Sequence, residues 1–237
     1  MNKHRSTIID FNKNKIPFMH RGTRADTGVL KQIFVQKQYQ LSRLRRGGEL
    51  NEFYDSVVNS GGQPLIVDCG ANIGASALWF SMAFPKSFIL GLEPDFDNFE
   101  LLSENTVSVN GKFLNAAVGS IDKMTYVVDP GLGEWGYRTS DLGAGNMVEM
   151  MSMRRLVAES VASGKVPFIA KIDIEGGEEE LFMKHTEWID YFPLLIIELH
   201  DWLLPKSGNS RSFLREVSSR DRDFVYSGEN IFSIRNF

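Results

Sequence analysis

Two clusters of residues in this 237-residue chain carry chemistry by their types and spacing. The first is Asp68-Cys69-Gly70-Ala71-Asn72-Ile73-Gly74, with Glu93-Pro94-Asp95 downstream. A loop that cradles a dinucleotide has the form G-x-G-x-x-G, and its second glycine lets the backbone approach the pyrophosphate. Asn72 stands at that position, the glycines fall at 70 and 74, and a carboxylate at 68 already sits on the loop. Such a loop suits a cationic nucleoside without phosphates, and Glu93 is placed to accept hydrogen bonds from both hydroxyls of a ribose. The second cluster is Asp173-Ile174-Glu175-Gly176-Gly177-Glu178, with Glu198-Leu199-His200 beyond it. Alternation along an extended strand puts Asp173 and Glu175 on one side. Two close carboxylates raise the pKa of one of them, which suits a proton acceptor. His200 is a further candidate base. The competing reading is a structural ion network of Lys171, Asp173 and Glu175. Asp173, Glu175 and Glu198 could furnish oxygen ligands to a hard divalent cation, but their spacing requires none and no metal is expected.

The elements that must position these residues follow from periodicity. Leu65-Ile66-Val67 is an apolar run leading into the first cluster, Ala75 to Phe84 reads as a helix, and Phe88 to Leu92 is a second strand ending at Glu93. Phe96 to Val109 repeats apolar residues at helical spacing, and Phe113 to Val118 is a third strand. Further on come a strand at Tyr126 to Val128, a helix at Met150 to Ser163 and a strand at Phe168 to Ile174. A helix at Glu178 to Trp188, a strand at Leu194 to Leu199 and a helix at Ser212 to Arg220 follow, with a closing hairpin at Phe224 to Ile234. Strands alternating with helices imply βαβ units, and apolar runs without polar alternation imply strands buried on both faces. The fold class is therefore α/β: a Rossmann-like, doubly wound, mostly parallel sheet with helices on both faces and an antiparallel C-terminal strand. In such sheets ligands bind outside the carboxyl ends of the strands, where both clusters fall.

Pro130 to Asn146 reads as a long loop whose Trp135 and Tyr137 could stack on a ring or simply pack. Residues 1–60 read as an N-terminal extension with a helix, and 61–237 as the main domain. Met1 to Phe18 reads as a polar leader. Asp26 to Arg46 reads as a short extended stretch and a helix stopped by Gly47-Gly48. Lys37, Arg43, Arg45 and Arg46 complement the helix dipole there or form a basic collar for an anionic acceptor.

Composition narrows the function classes. Hydrophobic residues at 43% and charged residues at 24% exclude bulk disorder, and a net charge of −4 argues against a nucleic-acid partner. No apolar run reaches membrane-spanning length, and the start lacks the apolar segment of a secretory signal. The one cysteine, Cys69, permits no internal disulfide and reads as a buried filler. A cytoplasmic protein is the default expectation.

The motifs also carry a resemblance. Val67 through Gly74 is similar to motif I of class I S-adenosylmethionine-dependent methyltransferases. More narrowly, the chain resembles the FkbM methyltransferase family, whose pattern couples D-x-G-A-N-x-G, E-P-D with N-F-x-x-L, and K-I-D-x-E-G-x-E. Here these are Glu93-Pro94-Asp95 with Asn98-Phe99, and Lys171-Ile172-Asp173-Ile174-Glu175-Gly176-Gly177-Glu178. Ile196-Ile197-Glu198-Leu199-His200 resembles the family's I-x-E-L-H strand, and Arg21 with Asp26 an upstream R-P-G-T-S-D element. Arg24, Ala25 and Gly177 depart from the pattern.

The resemblance implies a cofactor, S-adenosyl-L-methionine, and a small-molecule or saccharide acceptor, methylated on a hydroxyl; a polyketide-like metabolite is the other acceptor class. It implies that Asp68 orients the loop and the methionine amino group, that Gly70 and Gly74 admit the cofactor and that Asn72 shapes the turn. It places Glu93 on the ribose and Asn115 and Ala116 by the adenine. Asp173, with Glu175 and His200 beside it, would anchor the acceptor or take its proton. Two rivals stand beside this reading. One is a nicotinamide-dependent oxidoreductase on a similar sheet, which Asn72 disfavours. The other is a non-catalytic binding module that keeps the fold.

Overall fold

A computed structural model describes residues 4–11, 13–128, 138–140 and 145–236. The chain opens with an antiparallel hairpin, β1 (Arg5–Phe11) and β2 (Asn14–His20). Helix α1 (Arg24–Leu30) is capped by the Thr23 hydroxyl, which accepts from the Asp26 amide. It runs on through a π-helical turn, Lys31–Val35, and a 3-10 turn, Leu41–Arg43, to α2 (Gly47–Asn59). Then come β3 (Gln63–Cys69), α3 (Ala75–Ala83), β4 (Phe88–Leu92), α4 (Phe96–Asn105) and β5 (Gly111–Leu114). Next are β6 (Ala116–Gly119), β7 (Lys123–Val128), β8 (Arg138–Ser140) and β9 (Asn146–Ser152). The last part holds α5 (Met153–Ala162), β10 (Lys165–Ile172), α6 (Glu178–Leu181), β11 (Leu194–Glu198), α7 (Arg211–Ser218), β12 (Arg222–Ser227) and β13 (Asn230–Arg235).

Seven strands form the main sheet in the order β12-β13-β11-β10-β3-β4-β5. The five from β11 to β5 are parallel, and β13 lies antiparallel between β11 and β12. This is the expected doubly wound sheet with an antiparallel end. Its central strands are buried on both faces: Leu65, Val67, Ala170, Leu195 and Ile197 pack on one side, Ile66, Ile169, Leu194 and Ile196 on the other. The chain leaves β3 towards β4 and leaves β10 towards β11, so the strand order reverses between β3 and β10 and a crevice opens at their carboxyl ends. A second, four-stranded sheet, β6-β9-β7-β8, flanks that end.

The first sixty residues depart most from expectation. Residues 5–11 and 14–20 pair as a hairpin and are not a loose leader. Ile9 faces Ile16 across the ladder, and Phe18 is fully buried in the same apolar cluster as Ile66, Trp79 and Phe168. Phe11 meets the Trp79 ring edge-on. Gly47-Gly48 open α2 instead of closing a helix, because a Cβ at Gly47 would collide with the Leu41 carbonyl. Arg46 stands before α2 and bonds Glu49, Asp223 and Asn236. The expected third strand splits at Asn115, whose Nδ2 donates to the Glu93 and Pro94 carbonyls, so β5 and β6 enter different sheets. The helix expected from Met150 starts at Met153, where Ser152 caps the Arg155 amide, and Glu178 to Trp188 breaks into α6 and a 3-10 turn, Thr186–Tyr191. The closing hairpin is as expected. Trp135 and Tyr137 lie outside the described residues. Among the described residues no helix is long and apolar enough to cross a membrane.

Candidate active site

The crevice is built by three strand ends. At the tip of β3, the Gly70 and Ala71 amides both donate to the Leu92 carbonyl at 3.0 and 2.9 Å, tying the loop to β4. The Asp173 amide donates to the Cys69 carbonyl, tying it to β10. Gly70 has φ +78°, and an added Cβ would strike the Asp173 carbonyl oxygen. The glycine is thus demanded by backbone contact between β3 and β10, whether or not a ligand approaches. Gly70→Ala is expected to lower stability by about 2–4 kcal/mol through strain and collision. Thermal unfolding checks this, and an unchanged midpoint would show that the two strand ends separate freely.

Asn72 sits at φ +47°, a conformation in which short polar side chains are the common non-glycine choice. Its side-chain oxygen accepts from the Ile73 amide, and its own amide donates to Glu93 Oε2 at 2.8 Å. Glu93 Oε1 accepts from the Asp95 amide at 3.0 Å. Glu93 is 5% exposed, and burial pushes its carboxyl up to about 7 despite those two hydrogen bonds. Gly70, Asn72, Leu92, Glu93, Pro94 and Asn98 form one wall of the crevice, Ala116, Ala117 and Val118 its floor, Thr139 its flank, and Asp173, Ile174, Glu175 and Gly177 the opposite wall. Asn98 Oδ1 on this wall is buried and has no partner among the described residues.

Asp68 does not reach the crevice. It is fully buried beneath the loop, accepting from Ser76 Oγ at 2.6 Å and facing Lys171 Nζ at 3.3 Å. From there it can orient the loop. Lys171 also donates to the Gly70 carbonyl at 2.7 Å and faces Asp173 at 3.4 Å. Burial works against this ammonium, but the Asp68 and Asp173 carboxylates more than offset it and keep it charged. Gly74 is likewise off the wall: at φ +91° it packs on Leu102 and Thr106 and serves the turn into α3. Asn115 is spent on the Glu93 and Pro94 carbonyls, while Ala116 lines the floor. Cys69 is fully buried, with its thiol pushed well up by burial.

The structure brings Asp173, Glu175 and His200 together. His200 Nε2 lies 3.6 Å from Asp173 Oδ1, 3.4 Å from Glu175 Oε2 and 3.9 Å from Glu198 Oε1. Its Nδ1 lies 2.9 Å from Glu178 Oε1. Burial pulls the imidazole down, but the hydrogen bond to Glu178 and the surrounding acids outweigh it and push His200 up to about 9. Burial, then the Asp173 charge, pushes Glu175 and Glu198 each up to about 8. Glu175 adopts φ +52°, a strained conformation of the kind that collects at functional sites. Spacing alone did not single out Glu178, the fully buried partner of His200, or Asn98. Tyr39 was also missed; it is 2% exposed and close enough to feel Lys171, Asp173 and Asp68.

The sheet and its crevice define a doubly wound α/β protein with a lined crevice at the carboxyl ends of its central strands. Residues 68–226 match the methyltransferase FkbM domain, and the chain belongs to that family: it is a methyltransferase. The hexuronic acid methyltransferase AglP of Haloferax volcanii is 27% identical over 172 residues, covering 67% of each chain. Among solved structures, the O-methyltransferase TomG from Streptomyces achromogenes, in complex with SAM, is 10% identical with a TM-score of 0.42, covering 90% of this chain and 91% of that one. A putative O-methyltransferase from Klebsiella pneumoniae is 12% identical with a TM-score of 0.43, covering 88% and 90%.

Proposed function

We propose that the protein transfers a methyl group from S-adenosylmethionine to a hydroxyl of a saccharide. The observation that carries this is the buried Glu93 carboxylate on the crevice wall, locked to the Asn72 amide beside the β3 loop. The Glu93 carboxylate accepts one backbone hydrogen bond on each oxygen and meets the Asn98 side chain, and it still has acceptor capacity for a ribose hydroxyl. The residues present fit the nucleoside in two more respects. Ala116 and Ala117 line the crevice with small side chains that leave room for a ring, and the unpartnered Asn98 Oδ1 offers an acceptor. The acceptor class is supported by the hexuronic acid methyltransferase among the relatives.

When bound, the cofactor supplies an electrophilic methyl carbon on a sulfonium. Transfer forms a C–O bond, breaks the C–S bond and releases the hydroxyl proton. The sulfonium charge is lost in the reaction, so alignment counts for more than charge stabilisation. Asp173 and Glu175 face the crevice opposite Glu93, with side chains 27% and 28% exposed. Asp173 fixes the hydroxyl and directs its proton away, and Lys171 holds the Asp173 carboxylate in place.

The test is incubation with methyl-labelled S-adenosylmethionine and fractionated glycans, with and without hexuronic acid. Alkali-stable label on sugar is the expected result. Label released by mild alkali marks a methyl ester and would replace the hydroxyl with a carboxylate acceptor. Cofactor binding with no transfer to any fraction would favour a binding module. Asp173→Asn is expected to cut turnover at least about 100-fold, the usual scale of positioned proton transfer, with cofactor affinity nearly unchanged. Single-turnover kinetics and calorimetry separate the two, and normal turnover removes Asp173 from the reaction.

A further inference from the structure

The outer end of the crevice, where β10 and β11 finish, gathers more acid than its cations balance. Asp173, Glu175, Glu178 and Glu198 all lie within 3.9 Å of the His200 ring nitrogens. Lys171 is already committed to Asp68, Asp173 and the Gly70 carbonyl. His200 itself is 1% exposed. Its Nδ1 faces Glu178, and Glu178 is fixed in turn by Asn209 Nδ2. A histidine that donates one N–H to a buried carboxylate presents the lone pair of the other nitrogen in a set direction. Here that nitrogen, Nε2, is aimed at Glu175 and Asp173 and makes no hydrogen bond among the described residues. The carboxylates of Asp173, Glu175 and Glu198 make none there either.

We propose that Asp173, Glu175 and His200 bind a divalent cation of the manganese class, with Glu198 at its margin, and that the cation docks the acceptor oxygen. The ligand-capable atoms of the three residues all lie within 4.8 Å of one another. With metal–ligand bonds of about 2.0–2.3 Å, neighbours in a coordination shell stand roughly 3–4.5 Å apart. One imidazole nitrogen among carboxylate oxygens is a donor set that suits Mn²⁺ better than the all-oxygen shell typical of calcium. Asp173 and Glu175 belong to the crevice wall, so one side of the shell opens towards the acceptor. The cation takes the place of the Nε2 proton, which leaves to solvent, and an oxygen coordinated there gives up its own proton more readily. The proposal rests on the methyltransferase reading above and refines one part of it: Asp173 holds the acceptor through the ion.

The experiment uses the full chain, stripped with EDTA and titrated with MnCl₂ while electron paramagnetic resonance reads free Mn²⁺. One Mn²⁺ per chain is expected, with a dissociation constant on the order of 10–100 µM, as for open carboxylate sites. Glu175→Gln and His200→Gln are each expected to weaken binding about tenfold or more. Circular dichroism and S-adenosylmethionine titration confirm that each variant is folded with its nucleoside side intact, and Asp173→Asn replaces either one that is not. Wild-type binding no tighter than that of the variants overturns the site. Undiminished methyl transfer by the stripped protein in EDTA overturns the ion's part in the reaction. In both cases labelled sugar still forms, whereas failure of the methyltransferase reading shows as no label even with Mn²⁺ present.

Discussion

Lys171→Met is expected to destabilise the protein by about 3–5 kcal/mol, the range found when one partner of a buried pair is removed. Lys171 is 2% exposed and Asp68 fully buried, so water cannot replace the lost ammonium. The substitution strands the Asp68 carboxylate beside Ser76 alone and leaves the Gly70 carbonyl without its side-chain donor. Methionine roughly conserves the volume, so cavity formation adds little. The double variant Lys171→Met with Asp68→Asn removes both charges and is expected to recover more than half of the loss, because most of the penalty belongs to the stranded charge. Urea unfolding of the four proteins in the cycle gives the coupling directly. A loss below about 1 kcal/mol for the single variant would mean that water reaches Asp68, and that the loop does not depend on this pair.

The reason the main sheet was legible, and the N-terminal part was not, lies in burial. β3, β4, β10 and β11 are buried on both faces, so their sequences are dominated by apolar residues without polar alternation. β1 and β2 carry Arg5, Ser6, Asp10, Asn14 and Lys15 around a few apolar residues, because one face of the hairpin meets water. The contacts of Ile9, Phe11 and Phe18 with Trp79 and its neighbours are tertiary and leave no local periodicity. Gly47-Gly48 misled for a related reason. Glycine after a basic helix end ordinarily marks a stop, but here its absent side chain admits the Leu41 carbonyl. Asn115 likewise interrupts an apolar run by capturing two carbonyls across the β4 turn, a partnership that lies 21 and 22 residues away.

The candidate site was legible where its residues follow strand ends directly. Glu93, Asp173 and Glu175 each sit within three residues of a strand terminus, so the strand assignment carried them to the rim. What the sequence hid was the direction of side chains. Asp68 and Asp173 look alike as acids at the ends of neighbouring strands, yet Asp68 is the last but one residue of β3 and turns into the core beneath α3. Glu178 looks like a helix-start acid, and only the fold shows it closed in by His200, Asn209 and Ser212.

The affinity for S-adenosylmethionine is expected to fall about thirty-fold between pH 8 and pH 5.5 as Glu93 takes up a proton, since each unit below the pKa costs tenfold. Burial pushes the Glu93 carboxyl up to about 7, so it is ionised at pH 8 and mostly protonated at 5.5. Only the ionised acid accepts from two hydroxyls at once, so below neutrality binding must first expel a proton. The same shift acts on stability with the opposite sign. An acid whose folded pKa is raised binds its proton more tightly when folded, so lowering the pH from 7 towards 4.5 favours the unliganded folded state through this group. Weaker binding at low pH therefore cannot be ascribed to unfolding driven by Glu93. Glu93→Gln is expected to bind weakly at every pH with this dependence gone, and to lose stability as well, since its amide opposes the N–H of Asn72 or Asp95. Calorimetry at pH 6 in two buffers of different ionisation heat reads the released proton directly. A wild-type affinity flat from pH 8 to 5.5 would place the ribose away from Glu93, and the nucleoside would then have to be sought on the Asn98 side of the same wall.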